Sequence, residues 1–339
     1  MNKLLAIALA LTLAGFAGAA RATGPAAEAT SGPAAGSAVG PAAGLAAGPL
    51  VDVAWVKANL DTPGLVFLDL RGPLGGASRA HYLQAHIPGA IYSDYLRDGW
   101  RITDKNGTAG MLPPARHLEK LIGGLGIGNR SHVVVVVNGT SALAMGTATR
   151  IYWTFKVLGH DAVSVLDGGM AAYLRARDKD NKPINPLETG AVTRPSTAFR
   201  AAPRADLLAS KEHVKQALGA GVTLVDNRPN NQYLGVNKHG LAKRHGTLPG
   251  AKNLPENWIT VNGGGTFRDS ATLAKLYAAA GVPTSGAQIN FCNTGHWASL
   301  GWFVSHELLG NSEARLYDGS MVEWSADAST PVERRVQLD

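Results

Sequence analysis

Short apolar runs alternate with amphipathic segments along the chain from about residue 50 onward. The apolar runs, such as 65–68 and 222–225, are short and rich in Val and Leu, which is typical of buried strands. The segments between them, such as 118–127 and 273–282, place apolar side chains at helical spacing. This alternation predicts an α/β fold in which helices cover both faces of a mostly parallel sheet.

The same series of features occurs twice, in the same order and at offsets of about 150 to 160 residues. The matched pairs are Asp69-Leu70-Arg71 with Asp226-Asn227-Arg228, Ile87-Pro88-Gly89-Ala90 with Leu248-Pro249-Gly250-Ala251, segment 118–127 with 273–282, run 133–137 with 288–292, and Asp167-Gly168-Gly169-Met170 with Asp318-Gly319-Ser320-Met321. The sequence therefore predicts a duplicated domain, with copies at 50–182 and 204–330 joined by a proline-containing linker at 183–203.

The first 49 residues differ in composition from the rest of the chain. Residues 1–22 contain Lys3, an apolar stretch and Ala20-Arg21-Ala22, the order of a secretory signal peptide with its cleavage site. Residues 23–49 are mostly Ala, Gly, Pro and Ser, with Gly-Pro repeated every eight residues, which is typical of a disordered spacer. We expect export, most simply to a bacterial periplasm, and no stable membrane insertion after signal cleavage.

The amino-acid composition limits which kinds of ligand, metal and cofactor the chain is expected to bind. The 339 residues carry a formal net charge of +7 without a dense basic cluster, so we expect small anions rather than nucleic acid. The single cysteine excludes an intrachain disulfide and a cysteine-based zinc site. His239 and His245 lie near each other in the sequence but lack a third metal ligand. We therefore predict neither a metal nor a cofactor. Because a duplicated chain can bury its domain interface internally, we expect a monomer.

Cys292 has the clearest potential for covalent chemistry. It follows the predicted strand 288–291 and opens the loop Cys292-Asn293-Thr294-Gly295-His296-Trp297, which leads into a helix. Sites in open α/β sheets lie at the carboxyl ends of strands, and a helix N-terminus stabilises an anion such as a thiolate. An inert core thiol is the alternative. Ala298 stands where a phosphatase loop needs arginine, and a dithiol oxidoreductase would need a second cysteine.

Together these features resemble the rhodanese family, specifically its two-domain thiosulfate or mercaptopyruvate sulfurtransferases, over residues 50–326. The resemblance rests on the paired motifs, the six-residue loop from Cys292 to Trp297, and Tyr317-Asp318-Gly319-Ser320. It implies that the Cys292 thiolate takes sulfur from a small anionic donor such as thiosulfate, holds it as a persulfide, and passes it to cyanide or a thiol. It also implies that the first copy, which lacks a cysteine, is a structural partner forming one wall of the site.

The resemblance further implies that the residues after Cys292 bind the donor or stabilise the persulfide, namely Asn293, Thr294, Gly295, His296 and Trp297. Two basic residues of thiosulfate-type members are replaced here by Gln232 and Thr294, and His296 stands where mercaptopyruvate-type members have valine. Positive charge would then come from His296 or from the basic loop residues Lys238, Lys243, Arg244 and His245. The alternatives are that these residues form only a solvated basic loop and that His296 simply faces water. Arg228 either contacts the donor or forms a structural ion pair with Asp226.

Two other functions fit the same fold. A sulfane-sulfur carrier that acts with a partner protein, without turnover of small donors, would suit the missing arginine at position 232 and the flexible leader. A binding module without chemistry is the third hypothesis. The presence of Cys292 in a glycine-containing loop argues against that third hypothesis.

Overall fold

The computed structural model describes residue 45 and residues 47–338, so the predicted signal peptide and most of the predicted spacer lie outside the described residues. The first half contains β1 (Leu50–Val51), α1 (Val53–Ala58), β2 (Leu65–Asp69), α2 (Arg79–Gln84), β3 (Ile91–Tyr92), β4 (Ile102–Thr103), β5 (Ala109–Met111), α3 (Ala115–Gly124), β6 (His132–Val136), α4 (Ala142–Val157), β7 (Val163–Leu166) and α5 (Gly169–Tyr173). The second half contains β8 (Leu208–Ala209), α6 (Lys211–Ala217), β9 (Thr223–Asp226), α7 (Asn230–Tyr233), β10 (Lys252–Asn253), α8 (Glu256–Ile259), α9 (Ser270–Ala279), β11 (Gln288–Phe291), α10 (His296–Trp302), β12 (Ala314–Tyr317) and α11 (Ser320–Ala326).

Each half builds a five-stranded parallel sheet with the same strand order. The order is β1-β7-β6-β2-β3 in the first half and β8-β12-β11-β9-β10 in the second, so each strand has a counterpart at the same place. Every residue of β2, β6 and β11 is buried, as expected for strands covered on both faces. The predicted α/β fold in two copies is confirmed, and both sheets lie within the predicted ranges 50–182 and 204–330.

Helix α4 lies between the two halves. It is apolar nearly all round, which is typical of a helix buried on every side, and 14 of its 16 residues are buried. It packs against α10, and the hydroxyls of Thr149 and Ser299 hydrogen-bond across this interface at 2.8 Å. Helix α10 continues as a π-helical segment, Phe303–Leu308, whose apolar residues complete the same core.

The two halves exchange equivalent contacts. After the antiparallel hairpin β4–β5, the Leu112 N–H donates to Asp318 Oδ2 at 2.6 Å, at the end of β12. In return, the Phe267 N–H of the second half donates to Asp167 Oδ1 at 2.9 Å, at the end of β7. Each half therefore places a segment against the strand ends of the other, and the loop after β11 is covered by the first half.

The predicted linker, residues 183–203, contains no helix or strand and runs along the first half. Its backbone N–H groups at Thr197 and Ala202 donate to the carbonyls of Gly123 and Leu158 at 2.9 and 2.8 Å. Phe199 is buried, with its ring edge-on to that of Phe155. Across residues 45 and 47–338, no helix has the length and apolar character needed to cross a membrane.

Candidate active site

The loop that follows β11 carries Cys292 at its start and Gly295 at the N-cap of α10. Cys292 is 1 % exposed. Gly295 has a φ of 72°, and a Cβ at this position would overlap the Arg150 guanidinium and the Asp318 carboxylate. Both the left-handed backbone and the close approach therefore require glycine here, as expected for a tight loop next to a buried charge pair.

Ser320 fixes this loop from the adjacent strand end. Its hydroxyl oxygen accepts hydrogen bonds from the N–H groups of Cys292 (3.0 Å) and Gly295 (3.2 Å), while its proton goes to the Tyr317 carbonyl at 2.8 Å. The hydroxyl lies 4.0 Å from Cys292 Sγ. Ser320 has a φ of 47°, and its counterpart in the first half is Gly169 with a φ of 53°. A serine in this strained conformation is explained by the bonds that its hydroxyl makes to the loop.

A buried ion pair between the halves lies beneath the loop. Arg150 of α4 is fully buried, and its Nη1 lies 2.5 Å from Asp318 Oδ1. Arg150 Nη2 also donates to the Gly110 carbonyl at 3.3 Å, and the guanidinium stacks over the Trp153 ring. Burial opposes the charged guanidinium, but the attractions of Asp318, Tyr95 and Cys292 together outweigh it and raise the pKa of Arg150.

His296 bridges the halves as a neutral ring. Its Nε2 lies 2.9 Å from the Leu143 carbonyl oxygen. Because a carbonyl oxygen can only accept a hydrogen bond, Nε2 must carry the ring proton. The other ring nitrogen, Nδ1, then accepts a hydrogen bond from the Tyr95 hydroxyl at 3.0 Å. Burial, reinforced by the nearby Arg101 charge, lowers the pKa of His296 to about 3. The prediction that His296 supplies positive charge is therefore wrong, because the folded protein keeps this ring uncharged at neutral pH.

A cavity of about 440 Å³ opens above Cys292 between the two halves. The Cys292 loop contributes Cys292, Asn293, Thr294, His296 and Trp297 to its lining. The opposite wall comes from the first half and includes Leu74, Leu96, Leu143 and Arg101, as expected of a structural partner. Arg101 directly precedes β4 and is half-buried, with Nε donating to the Gly110 carbonyl at 3.0 Å and Nη2 to the Thr294 carbonyl at 2.5 Å.

Three predicted site residues, Gly295, Gln232 and Arg228, do not line the cavity. Gln232 lies behind the loop, where its Oε1 accepts from the Asn293 side-chain amide at 2.9 Å. Arg228 is 1 % exposed, pairs with Asp226 at 2.5 Å and donates to the Gly246 carbonyl at 2.9 Å. Of the two roles left open for Arg228, the geometry matches the structural ion pair, since its Nε and Nη2 groups bond to Asp226 and to the Gly246 carbonyl inside the domain.

The basic loop before Leu248 brings His239 and Leu241 to the cavity, but none of its residues Lys238, Lys243, Arg244 and His245 lines it. Arg244 donates to the Trp324, Asp327 and Thr330 carbonyls and so closes the C-terminal end of α11. Lys238 donates to the Ala242 carbonyl, and His245 bonds to the Gly235 carbonyl. The positive charge at the cavity comes instead from Arg101, which belongs to no motif recognised in the sequence. Within residues 45 and 47–338, no group of three His, Cys, Asp or Glu side chains is placed to hold a metal.

Comparison with known proteins finds the Rhodanese-like domain twice, at residues 52–176 and 210–327. "Putative thiosulfate sulfurtransferase" of Mycobacterium tuberculosis (strain ATCC 25618 / H37Rv) is 32% identical over 84% of this chain and 97% of its own length. A protein with the same name from Haloferax volcanii is 31% identical over 84% of this chain and 96% of its own length.

Among solved structures, the fold matches Tum1 from Saccharomyces cerevisiae with a TM-score of 0.71 at 20% identity, over 85% of this chain and 99% of that one. It also matches SseA from Escherichia coli, whose structure is described as a 3-mercaptopyruvate sulfotransferase, with a TM-score of 0.66 at 24% identity, over 81% of this chain and 99% of that one. At these identities the structural matches support the fold alone.

Replacing Arg150 with Met should lower the free energy of unfolding by about 3 to 5 kcal/mol, because Asp318 would be left buried without its counter-ion. The matched control is Arg97→Met: Arg97 is 85% exposed, and its pair with Asp94 should contribute less than about 1 kcal/mol. Urea denaturation at neutral pH measures both losses. Equal losses in the two variants would contradict a structural role for the buried pair.

His296→Gln should remove part of the acid sensitivity of the fold. The unfolded chain protonates His296 near pH 6.5, whereas the folded protein does so only near pH 3, so wild-type stability should fall as the pH drops from about 6.5 toward 3. At pH 4.5 this loss should reach about 2 to 3 kcal/mol, and the glutamine variant should not show it. Urea denaturation at pH 7.5 and 4.5 gives the comparison. An identical change with pH in both proteins would show that His296 titrates normally.

Proposed function

The chain belongs to the rhodanese family, and from this premise we propose that it is a sulfurtransferase that moves a sulfane sulfur from a donor such as thiosulfate to cyanide or a thiol through a persulfide on Cys292. The observation that carries the proposal is the position of Cys292 in the lining of the interdomain cavity, on a loop held by Ser320 and Arg101. Relatives named as thiosulfate sulfurtransferases support thiosulfate as a donor.

In the first half-reaction, the Cys292 thiolate attacks the outer sulfur of the donor. The new bond joins Sγ to that sulfur, the donor S–S bond breaks, and sulfite leaves with its electron pair. Arg150 lies close enough to Cys292 for their charges to attract, which favours the anionic sulfur. The Cys292 and Gly295 N–H groups already bond to Ser320, so the remaining N–H groups of the loop and of the first turn of α10 are available to the persulfide.

In the second half-reaction, an acceptor nucleophile attacks the outer sulfur of the persulfide. Cyanide leaves as thiocyanate, and the Cys292 thiolate is regenerated. The cavity provides room for a small acceptor to approach from the side opposite the loop. This open approach favours turnover over a carrier that exchanges sulfur only within a protein complex.

Incubation with thiosulfate or mercaptopyruvate, followed by desalting, should add one sulfur atom to the protein, a gain of about 32 Da in intact mass. Cyanide should remove that mass as thiocyanate, and Cys292→Ser should never acquire it. Repeated thiocyanate production would identify an enzyme, whereas a single sulfur without turnover would identify a carrier. No mass gain from either donor would contradict the proposed reaction.

We also propose that the protein is exported to the periplasm, on the pattern of residues 1–22. Expressed with its full N-terminus in a Gram-negative host, the protein should be recovered from the periplasmic fraction with Thr23 as its first residue. A matched form that lacks residues 2–22 should stay with cytoplasmic markers. An N-terminus at Met1 in the cytoplasmic fraction would contradict export.

A further inference from the structure

The second half holds the first residues of the Cys292 loop through the backbone. The Cys292 carbonyl accepts from the Met321 N–H, and the Asn293 carbonyl accepts from the Val322 N–H, both at 3.0 Å. Both donors lie in the first turn of α11, the helix that follows β12. The next carbonyl of the loop, that of Thr294, is bonded instead by the first half. The two halves therefore share in fixing this loop.

The peptide group between Thr294 and Gly295 is bonded at both of its ends. Arg101 Nη2 of the first half donates to its carbonyl at 2.5 Å, and its N–H donates to Ser320 Oγ of the second half at 3.2 Å. Gly295 has a φ of 72°, and glycine adopts positive and negative φ with similar ease, so this residue does little to fix the peptide by itself. The two bonds, one from each half, oppose rotation of the peptide.

Gly110 of β5 provides the path by which Arg101 reaches the loop. Gly110 has a φ of 86°, and a Cβ at this position would overlap Arg101 Nη2 and lie 3.1 Å from Thr294 Cβ. The Gly110 carbonyl also accepts from Arg101 Nε at 3.0 Å and from Arg150 Nη2 at 3.3 Å. The Arg101 guanidinium therefore crosses the hairpin directly over Gly110, and the fork of its N–H groups bonds a carbonyl on each side.

A second contact from the first half reaches the other side of Gly295. The Arg101 guanidinium lies over the Tyr95 ring, 5.6 Å from its centroid, and the Tyr95 hydroxyl donates to His296 Nδ1 at 3.0 Å. The first half thus bonds Thr294 through Arg101 and His296 through Tyr95, the residues on either side of the flexible glycine. This arrangement restrains the segment where the loop enters α10.

We propose, on the basis of the function proposed above, that Arg101 is a positioning residue for sulfur transfer. It acts through the peptide between Thr294 and Gly295, whose fixed orientation aligns the remaining N–H groups of the loop with the sulfur on Cys292. Dipoles stabilise a reacting anion most when they are oriented before the reaction begins, and a small misplacement costs a large factor in rate. The first half therefore helps to assemble the reactive loop in addition to forming the cavity wall.

The test separates this contact from the charge of Arg101. Gly110→Ala adds a methyl group where Arg101 Nη2 passes, so the guanidinium stays at the cavity but loses the Thr294 carbonyl. The matched control is Gly107→Ala in the same hairpin: Gly107 has a φ of 81°, and no atom lies within 4 Å of an added Cβ. Because both alanines impose a similar backbone strain, a difference between the two variants reports the lost contact.

Single-turnover loading of Cys292 by thiosulfate, followed by intact mass over a range of concentrations, gives a maximal rate and a half-saturating concentration. Gly110→Ala should lower the maximal rate by about tenfold to a hundredfold and leave the half-saturating concentration nearly unchanged, whereas Gly107→Ala should resemble the wild type. Arg101→Gln should lower the maximal rate and raise the half-saturating concentration. Arg101→Lys should keep the low maximal rate, because an ammonium lacks the fork of N–H groups that bonds both carbonyls.

Amide hydrogen exchange of the same variants gives a readout that needs no sulfur donor. In Gly110→Ala and Arg101→Gln, the Gly295 N–H should exchange severalfold faster than in the wild type, because its peptide is no longer held at the carbonyl. The N–H groups of β6 should keep their wild-type rates. Faster exchange by the same factor in the loop and in β6 would indicate a general loss of stability and would contradict a positioning role.

The outcomes separate this inference from the function on which it rests. A wild-type maximal rate in Gly110→Ala, an equal loss in Gly107→Ala, or full recovery in Arg101→Lys would overturn the inference and leave the sulfurtransferase function standing. If Gly110→Ala does not fold, the comparison of Arg101→Lys with Arg101→Gln decides the same question. If the wild type takes up no sulfur, the proposed function fails, and unchanged exchange of the Gly295 N–H in Arg101→Gln would overturn the positioning role independently.

Discussion

The buried ion pair between Arg150 and Asp318 is the interaction on which the geometry of the site depends. It joins the central helix α4 of the first half to the end of β12 in the second, with both side chains nearly inaccessible to water. A buried pair of this kind gains little net stability over apolar packing but strongly penalises any arrangement that separates the two charges. It therefore fixes how the halves meet, and it leaves space for nothing larger than glycine at position 295.

Duplication explains why one half carries the chemistry and the other forms its wall. Both halves offer a segment to the strand ends of the other, as the bonds from Leu112 to Asp318 and from Phe267 to Asp167 show. In the first half, however, Val137 occupies the position of the cysteine, and the Asn138 side chain donates to the Gly75 carbonyl at 2.6 Å. The turn at Pro73–Gly75 thus closes the equivalent place in the first half. The same scaffold supports one open cavity and one filled one.

Local sequence was sufficient for the fold and for the place of Cys292 between a strand and a helix, and insufficient for the contacts that depend on how the two halves pack together. Strand periodicity and the internal repeat are local signals, and so is a cysteine between a strand and a helix. Arg101 lies in a hairpin without a motif, and it reaches the Cys292 loop, at the Thr294 carbonyl, only because the halves pack together. Arg150 could have been inferred, since a lone arginine inside an all-round apolar helix must have a buried partner. For Arg228, the twin pair of Arg71 with Asp69 already favoured a structural role.

Because the His296 ring is neutral, the cavity has little positive charge with which to bind an anionic substrate. Arg150 is balanced by Asp318 and His296 is uncharged, so among the described lining residues Arg101 is the cation left to face an anionic substrate. In the reaction proposed above, the persulfide would be stabilised chiefly by backbone N–H groups, whose dipoles are fixed in place and carry no proton that a change in pH could remove. A site with several cations would hold both the persulfide and the departing anion tightly. With a single guanidinium on the opposite wall, the proposed leaving group could depart while the loop retains the sulfur.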